Sequence, residues 1–389
     1  MNIEGRLTIG LTIEQGSVVA ANIASSRPLH ASRVLVGRQV VDAQKMIPLL
    51  FSLCGTAQAC AGARACEQAL HAPAAAEVQV LRDCLVNVET LREHLWRTLL
   101  DWPAFIEDAT QADRSSMAEM VGIQRDYRQA LCADIDVFQA GTVPCRSDTE
   151  MLDKVLSRLS GLLQRAVFGM LPLDWLERMK GEQALAKWAA GGQGIAARLI
   201  HQLIQSDWRG AGACAVEGLP VLEAQLLNRV MRDRQFVEQP VWQGRCCETT
   251  SLTRVDSPLL ATLRQAYGNG LLSRLVARLT EIALLTDQLR PHPPGHFAAA
   301  VAGAAAANPG IGQVAAARGQ LVHRVELDEA TIVDYQILAP TEWTFHPKGV
   351  VVESLLTLKG TPQQVERQAR LLINAIDPCV GYELNLEAL

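Results

Sequence analysis

The stretch LCGTAQACAGARACEQAL, residues 53–70, opens on a leucine, a cysteine and a glycine and then carries alanine at almost every second position. Alanine has the highest helix propensity, and a row of small side chains lets neighbouring backbone approach a helix closely. The stretch therefore predicts a tightly packed helix with Cys54 at its N-terminal end. Cys60 and Cys66 fall inside the same helix.

A second cysteine of the same kind lies near the other end of the chain, in Asp377-Pro378-Cys379. Aspartate is a good helix cap and proline suits the first helical position, so these residues predict the start of a short helix. Free N–H groups and the positive end of the helix dipole there favour the thiolate form of a cysteine. If the fold brings Cys54 and Cys379 together, the two sulfurs make a small site for a soft metal.

Composition indicates a globular protein with no general attraction for polyanions. The chain has 389 residues, of which 49% are hydrophobic and 20% are charged, and its formal net charge is −5. A large core can form, and the negative charge gives no reason to bind nucleic acid or an anionic membrane surface. The first residues lack the pattern of a secretory signal, and no apolar run is long enough to span a bilayer. We therefore expect a soluble, cytoplasmic protein whose ten cysteines are thiols.

The hydrophobic pattern places β elements near both ends of the chain and helices between them. Alternation predicts hairpins over residues 7–23 and 320–338, and a helix is expected after the Thr361-Pro362 cap. We predict one domain over 1–389 that is mainly α with minor β (α+β), a helical body with β-hairpins near both termini. Its expected parts are an N-terminal hairpin in 1–30, a helical body in 40–290, a Pro/Gly/Ala-rich loop in 291–312, and a hairpin plus C-terminal helices in 313–389.

The other cysteines and the histidines carry weaker signals. Six cysteines stand outside any motif and are expected to be buried packing residues: Cys60, Cys66, Cys84, Cys132, Cys145 and Cys214. Cys246 and Cys247 are adjacent, which does not match the Cys-x-x-Cys spacing of zinc or iron–sulfur sites. Two prolines separate His292 from His296 and forbid a shared helix, so a solvated loop is expected there. Two further histidines are expected to be structural, namely His323 and His346.

Five short stretches occur in the order found in one known family. They are IEGRL (3–7), LCGTA (53–57), RGQLVH (318–323), DYQILAPTEW (334–343) and DPCVGY (377–382). They resemble the Glu-Gly-x-Leu, Arg-x-Cys-Gly-x-Cys, Pro-Arg-Gly, Tyr-Gln-x-x-x-Pro-Thr-Thr-Trp and Asp-Pro-Cys-x-x-Cys motifs of nickel–iron hydrogenase large subunits. The resemblance is strongest to shortened relatives of that subunit, the hydrogenase assembly factors HupK and HoxV. It covers both ends of the chain better than the middle and implies the fold of a hydrogenase large subunit.

The departures from the family pattern change the metal chemistry that the resemblance implies. In hydrogenases four cysteines hold nickel and iron, and the second cysteine of each pair bridges the two metals. Ala57 and Tyr382 stand at those bridging positions, so a bimetallic site is not expected and neither is nickel. The resemblance implies instead that Cys54 and Cys379 carry one iron, transiently, as the Fe(CN)2(CO) unit. Both cysteines match positions that hold nickel alone in the family, so this iron would be displaced from its usual place.

The resemblance also suggests which residues surround such a unit. A guanidinium at Arg318 and a hydroxyl at Thr341 suit the cyanide ligands, which accept hydrogen bonds, and an apolar wall at Pro340 suits carbon monoxide. Glu4 and Asp377 match further family positions near the site, with structural and supporting roles expected. Judged from the residues alone, Arg318 is more simply a surface arginine before a hairpin and Thr341 a loop residue after a proline.

The function expected from the resemblance is a hydrogenase maturation scaffold that is not an enzyme. It would accept the iron unit from an upstream assembly complex of the HypC/HypD type and pass it to a hydrogenase large-subunit precursor. A chaperone that binds the precursor but no metal is the main alternative, and iron analysis separates the two. A degenerate hydrogenase subunit is the enzyme alternative, which a nickel assay with a hydrogen-oxidation measurement would test.

Overall fold

The chain ends meet in one small sheet. In the computed structural model, which describes residues 5–26, 31–51, 53–108, 110–133, 135–291 and 308–389, the predicted first hairpin is present as strands β1 (Leu7–Glu14) and β2 (Ser17–Ser25). Strand β8 (Tyr382–Ala388) pairs with β1 in parallel, so the strand order is β2-β1-β8. The pairing brings the stretch just before Tyr382 back to the start of the fold.

The remaining strands form two further sheets. These are β3 (Glu217–Gly218) with β4 (Cys247–Glu248), and β5 (Gly310–Ala316), β6 (Gly319–Asp328) and β7 (Thr331–Leu338) in the order β5-β6-β7. Strands β6 and β7 are the predicted second hairpin, confirmed around Asp328 and Thr331. Strand β5 was not predicted, because its alanines and glycines lack the β-branched side chains typical of strands.

The described middle of the chain is mostly helical, as predicted. The helices up to residue 205 are α1 (Val40–Leu50), α2 (Gly55–Ala69), α3 (Ala76–Trp96), α4 (Arg114–Cys132), α5 (Thr149–Leu163), α6 (Pro172–Arg178), α7 (Glu182–Gly191) and α8 (Ile195–Gln205). Those after it are α9 (Ala224–Val230), α10 (Arg234–Glu238), α11 (Ser251–Arg254), α12 (Pro258–Tyr267), α13 (Leu271–Asp287), α14 (Pro340–Thr344), α15 (Val350–Leu355) and α16 (Pro362–Ile376). Short 3-10 or π segments cover Ala31–Leu35, Arg97–Asp101, Trp102–Phe105 and Gln164–Phe168. No described helix is both long and apolar enough to cross a bilayer.

Helix α2 lies directly on the backbone of the β5-β6-β7 sheet. A Cβ atom on Gly312 would overlap the carbonyl oxygen of Ala61, and one on Gly310 would overlap that of Ala65. Two glycines in β5 therefore meet a row of alanines in α2, which confirms that the small side chains of the helix allow close approach. This contact places the first turn of α2, and with it Cys54, beside the sheet.

The C-terminal segment differs from its prediction. Helix α16 begins at the expected Thr361-Pro362 cap. Thr361 accepts a hydrogen bond from the backbone N–H of Gln364, and the Gln364 side chain accepts one in return, which completes a capping box that was not predicted. It ends at Ile376, and Asp377 follows with a left-handed backbone (φ 74°). The predicted helix start at Asp377-Pro378-Cys379 was therefore wrong. Aspartate tolerates the left-handed region, so the same residue ends one helix instead of opening another.

The predicted loop over 291–312 is only partly tested. Its last residues are not a loop, because β5 starts at Gly310. His292 and His296 lie outside the described residues, and so does Glu4.

Candidate metal centre

Cys54 lies where the sequence predicted it, immediately before the first turn of α2. Its side chain is half-buried and makes no capping hydrogen bond to the helix. The free N–H groups of the first turn are satisfied instead by Glu89 of α3, whose carboxylate oxygens accept from Thr56 at 2.8 Å and Ala57 at 2.9 Å. The sequence patterns had not pointed to Glu89.

The helix start does not favour a thiolate at Cys54, contrary to the general expectation for such positions. Burial raises the pKa of the Cys54 thiol to about 12, and the nearby Glu89 carboxylate and Cys379 act in the same direction. A metal that binds at neutral pH must therefore displace the proton of this thiol.

Cys379 lies in a bend between α16 and β8 and is half-buried. Its sulfur is 3.6 Å from the Oγ1 atom of Thr341, in the first turn of α14. Thr341 is only 5% exposed and the residues before it, Leu338, Ala339 and Pro340, are buried as well. A hydroxyl therefore lies near this thiol, directly after a buried apolar stretch of the chain.

Arg318 lies near both cysteines. It occupies the turn between β5 and β6, is 5% exposed, and lies close enough to both thiolate positions for each to affect its pKa. Burial alone lowers the pKa of this guanidinium, but Asp377, Glu93 and the two cysteines raise it above its usual value. Arg318 is thus a buried cation near both thiols, and the surface position that its residue type alone suggested is wrong.

The hydrogen bonds of Arg318 leave one donor available. Its Nε donates to Asp377 at 3.2 Å and its Nη2 to Glu93 at 3.1 Å. Its Nη1 is buried and has no hydrogen-bond partner among the described residues. Buried guanidinium N–H groups are rarely left unpaired, so this atom fits an additional acceptor in the site.

Three arginines surround the carboxylate of Asp377. Arg97 donates to it at 2.8 Å, Arg318 at 3.2 Å, and Arg278 lies at 3.6 Å. Burial raises the pKa of this carboxyl, but the three guanidinium groups outweigh burial and hold it well below the usual range. Arg97 also donates to the carbonyl oxygen of Pro378, at 3.2 Å. Asp377 therefore anchors the bend that carries Cys379, in place of the helix-capping role expected from the sequence.

The two positions that lack sulfur remain inside the fold. Ala57 is 1% exposed in the first turn of α2, and Tyr382 starts β8 opposite Leu7. Neither residue can bridge two metals. Among the described residues, no group of three or more histidine, cysteine, aspartate or glutamate side chains forms a conventional metal cluster.

The other cysteines and histidines behave largely as expected. All ten cysteines are free thiols, and those at 60, 66, 84 and 132 are buried, whereas those at 145 and 214 are half-buried. His346 lies 3.3 Å from the sulfur of Cys246 and accepts the backbone N–H of Lys348. His323 is fully buried and hydrogen-bonded on both ring nitrogens, as a structural histidine would be. One of its partners is Gln58, which also contacts Cys54 and which the sequence patterns had not singled out.

Comparison with known proteins gives long matches to a single kind of protein. The chain is 31% identical over 386 residues to the hydrogenase expression/formation protein HupK of Azotobacter vinelandii, with 98% of each chain covered. It is 33% identical over 399 residues to the hydrogenase expression/formation protein HoxV of Cupriavidus necator, covering 97% of this chain and 95% of the relative. The large chain of hydrogenase-2 from Escherichia coli is 28% identical over 123 residues, 31% of this chain and 22% of that one. No protein-family model matches.

Solved structures confirm the fold. The nickel–iron–selenium hydrogenase of Desulfovibrio vulgaris Hildenborough in its reduced state has a TM-score of 0.63 at 16% identity, covering 94% of each chain. The reduced, active enzyme of Desulfomicrobium baculatum gives a TM-score of 0.62 at 14% identity, covering 95% of each. The α+β hydrogenase large-subunit fold was therefore predicted correctly. With this fold and near-complete matches at 31% and 33% identity, the chain belongs to the HupK/HoxV family of hydrogenase expression/formation proteins.

Proposed function

We propose that this protein acts in hydrogenase maturation as a non-enzymatic scaffold that holds one iron, as the Fe(CN)2(CO) unit, between Cys54 and Cys379. The observation that carries the proposal is the position of Arg318. A buried guanidinium, whose Nη1 atom has no hydrogen-bond partner among the described residues, lies close enough to two half-buried thiols, one from each end of the chain, for both to affect its pKa. The iron unit is the cargo of the protein and not its resident cofactor.

The residues present fit the chemistry of that cargo. Thiolates are good iron ligands, and cyanide ligands accept hydrogen bonds from cations. The Nη1 atom of Arg318 is the donor available for one cyanide, and the hydroxyl of Thr341 lies near Cys379 for another. The buried segment that ends at Pro340 supplies the apolar surface that carbon monoxide requires.

A scaffold also has to release what it binds. Two thiolates hold a metal less firmly than four, and the Cys54 thiol has to lose its proton when the metal enters. Because burial raises the pKa of Cys54 to about 12, return of that proton favours release of the iron. We propose that an upstream complex of the HypC/HypD type delivers the unit and that a hydrogenase large-subunit precursor receives it.

Infrared spectroscopy tests this proposal directly. Protein co-produced with the hydrogenase maturation proteins should show cyanide and carbonyl stretching bands, with iron present and nickel absent in metal analysis. Cys54→Ala and Cys379→Ala should each remove the bands. Cys145→Ala is the matched control, because Cys145 is also a half-buried free thiol and has no place in the proposed site.

Three results would contradict the scaffold. Wild-type protein without iron that still binds the large-subunit precursor would indicate a metal-free chaperone. Bands that survive in both cysteine variants would place the iron elsewhere. Stoichiometric nickel with hydrogen oxidation would indicate a hydrogenase subunit.

A further inference from the structure

We propose that Gln58 positions the sulfur of Cys54 for metal binding, as the last member of a buried hydrogen-bond chain that begins at Tyr335. This inference rests on the proposed function, because it concerns how one of the two proposed metal-binding thiols is oriented. Gln58 touches the thiol and would not touch the cargo, so it is a positioning residue.

The chain crosses three elements without a break. The hydroxyl of Tyr335 in β7 lies 2.7 Å from Nδ1 of His323 in β6, and Nε2 of His323 lies 2.7 Å from Oε1 of Gln58 in α2. The Nε2 atom of Gln58 then lies 3.6 Å from the sulfur of Cys54, within range for a sulfur acceptor. Gln58 is 4% exposed, Tyr335 is 2% exposed and His323 is fully buried.

The chemistry of the three side chains gives the chain one direction. Burial lowers the pKa of His323 to about 3, so its ring is neutral at pH 7 and carries one N–H. Since Oε1 of Gln58 can only accept, that hydrogen is on Nε2, and Nδ1 accepts from the Tyr335 hydroxyl. Every donor in the chain then points towards Cys54. The amide of Gln58 is held with its N–H group facing the sulfur.

Helix α2 is shaped to leave room for this chain. Gly62 lies one turn after Gln58, and a Cβ atom there would be 3.0 Å from the Tyr335 hydroxyl and 3.5 Å from Nδ1 of His323. A larger residue would therefore crowd the Tyr335 hydroxyl, and also the side chain of Ile47, which would be 2.7 Å from the added atom. Glycine at this position, which is unfavourable in a helix by about 1 kcal/mol, therefore keeps the chain in contact with Gln58.

A hydrogen bond to sulfur has consequences for a bound metal. A thiolate that ligates a metal keeps lone pairs that accept an N–H, so the Gln58 contact can persist in the loaded state. Groups that orient metal ligands in this way typically change metal affinity by about 10- to 100-fold when removed. Donation to the sulfur also lowers its electron density, which raises the energy of sulfur-to-metal charge transfer.

Cobalt(II) alone is a suitable probe, because its thiolate complexes absorb by charge transfer and need no maturation proteins. The purified full-length chain is titrated with Co²⁺ without oxygen, at one fixed pH, and the affinity and the energy of the band are both recorded. Gln58→Leu removes both hydrogen bonds. Tyr335→Phe removes only the far end of the chain.

We expect Gln58→Leu to weaken Co²⁺ binding about tenfold or more and to shift the band to lower energy. Tyr335→Phe should act in the same direction with a smaller effect. Gln44→Leu is the matched control, since Gln44 is an equally buried glutamine, 3% exposed, on the neighbouring helix α1. It should change Co²⁺ affinity less than twofold and leave the band in place.

The outcomes separate this inference from the proposed function. If Gln58→Leu binds Co²⁺ with wild-type affinity and wild-type band energy, the positioning role is overturned, and the hydrogen bond between His323 and Gln58 only ties α2 to β6. An equal loss in Gln44→Leu would overturn it too, because the effect would then come from core disruption. If Cys54→Ala and Cys379→Ala do not affect cobalt binding, the two-thiol site itself is wrong and both ideas fall.

Discussion

The two thiols of the candidate metal centre are held by different forces. Cys54 lies at the N-terminal end of α2, which packs against a sheet through contacts between alanines and glycines. Gln58 of the same helix hydrogen-bonds to buried His323 and to Cys54 itself. Cys379 sits in an irregular bend, which Asp377 fixes through its arginines. Close packing therefore positions Cys54, whereas ion pairs position Cys379. The two halves of the site should accordingly be destabilised by different kinds of substitution.

The largest effect is expected on the Cys379 side, from Asp377→Asn. Asparagine adopts the left-handed backbone as readily as aspartate, so the change leaves the backbone unstrained while it removes the charge and one acceptor oxygen. Three guanidinium groups then lose their common carboxylate in a buried environment, and breaking a buried pair in this way costs about 3–5 kcal/mol. Urea unfolding at pH 7 measures the loss.

An exposed ion pair provides the control for that substitution. Asp153 pairs with Arg290 at 2.7 Å, but both side chains are more than half exposed. Asp153→Asn should cost at most about 1 kcal/mol. A similar loss in both variants would mean that the arginines around Asp377 are not held by its charge.

On the Cys54 side, stability should depend most on the volume of the side chains between β5 and α2. Gly312→Ala places a methyl group against the Ala61 carbonyl and has to separate β5 from α2. Overpacking of this kind costs about 3 kcal/mol at the upper end of its range. Gly122→Ala, at a helical glycine with open space around it, should instead stabilise the protein by about 0.5–1 kcal/mol. Urea unfolding should show a lower free energy of unfolding for Gly312→Ala and a higher one for Gly122→Ala, which would confirm the contact. Equally small changes in the two variants would contradict it.

The buried histidine on the Cys54 side predicts a pH dependence. His323 has a pKa of about 3 in the folded protein and about 6.5 when unfolded, so the unfolded chain binds an extra proton between these values. Stability therefore rises with pH through this window and is lost on acidification. Wild-type protein should lose about 2 kcal/mol more than His323→Gln between pH 7 and pH 5. If wild type and His323→Gln lose the same free energy of unfolding between pH 7 and pH 5, His323 takes up its proton in the folded state as well.

The same division explains what the sequence could predict. The helix after Cys54 and the hairpins follow from local composition and alternation, and the structure confirms them. Asp377-Pro378 was misread because an aspartate and a proline serve equally well to end a helix or to begin one. Only tertiary contacts decide between these outcomes, here the arginines around the Asp377 carboxylate.

Contacts between residues far apart in the sequence could not be predicted from local patterns either. Strand β8 finds its partner in β1, near the other end of the chain. Glu89, which satisfies the first turn of α2, and Gln58, which contacts Cys54, have no motif of their own. One weak signal existed for Gln58, since it lies four residues after Cys54 in a predicted helix and so on the same face. The resemblance to hydrogenases, by contrast, drew attention to Arg318, which in the structure lies close enough to Cys54 and Cys379 for both to affect its pKa.

The smallest effect is expected from the thiols themselves. Both cysteines are half-buried and Cys54 makes no capping bond, so Cys379→Ala should change the free energy of unfolding by less than about 1 kcal/mol. Cys54→Ala also leaves the N–H of Gln58 without its sulfur acceptor and should cost about 1 kcal/mol. Thr361→Ala, which removes the cap of α16, should cost about 1 kcal/mol and sets the scale in the same urea series. If Cys379→Ala costs as much as Asp377→Asn, the sulfur is part of the charged bend and not a free ligand. If both cysteine variants remain stable but bind no iron, the fold holds the thiols while depending on neither of them, which is what a carrier that must release its metal requires.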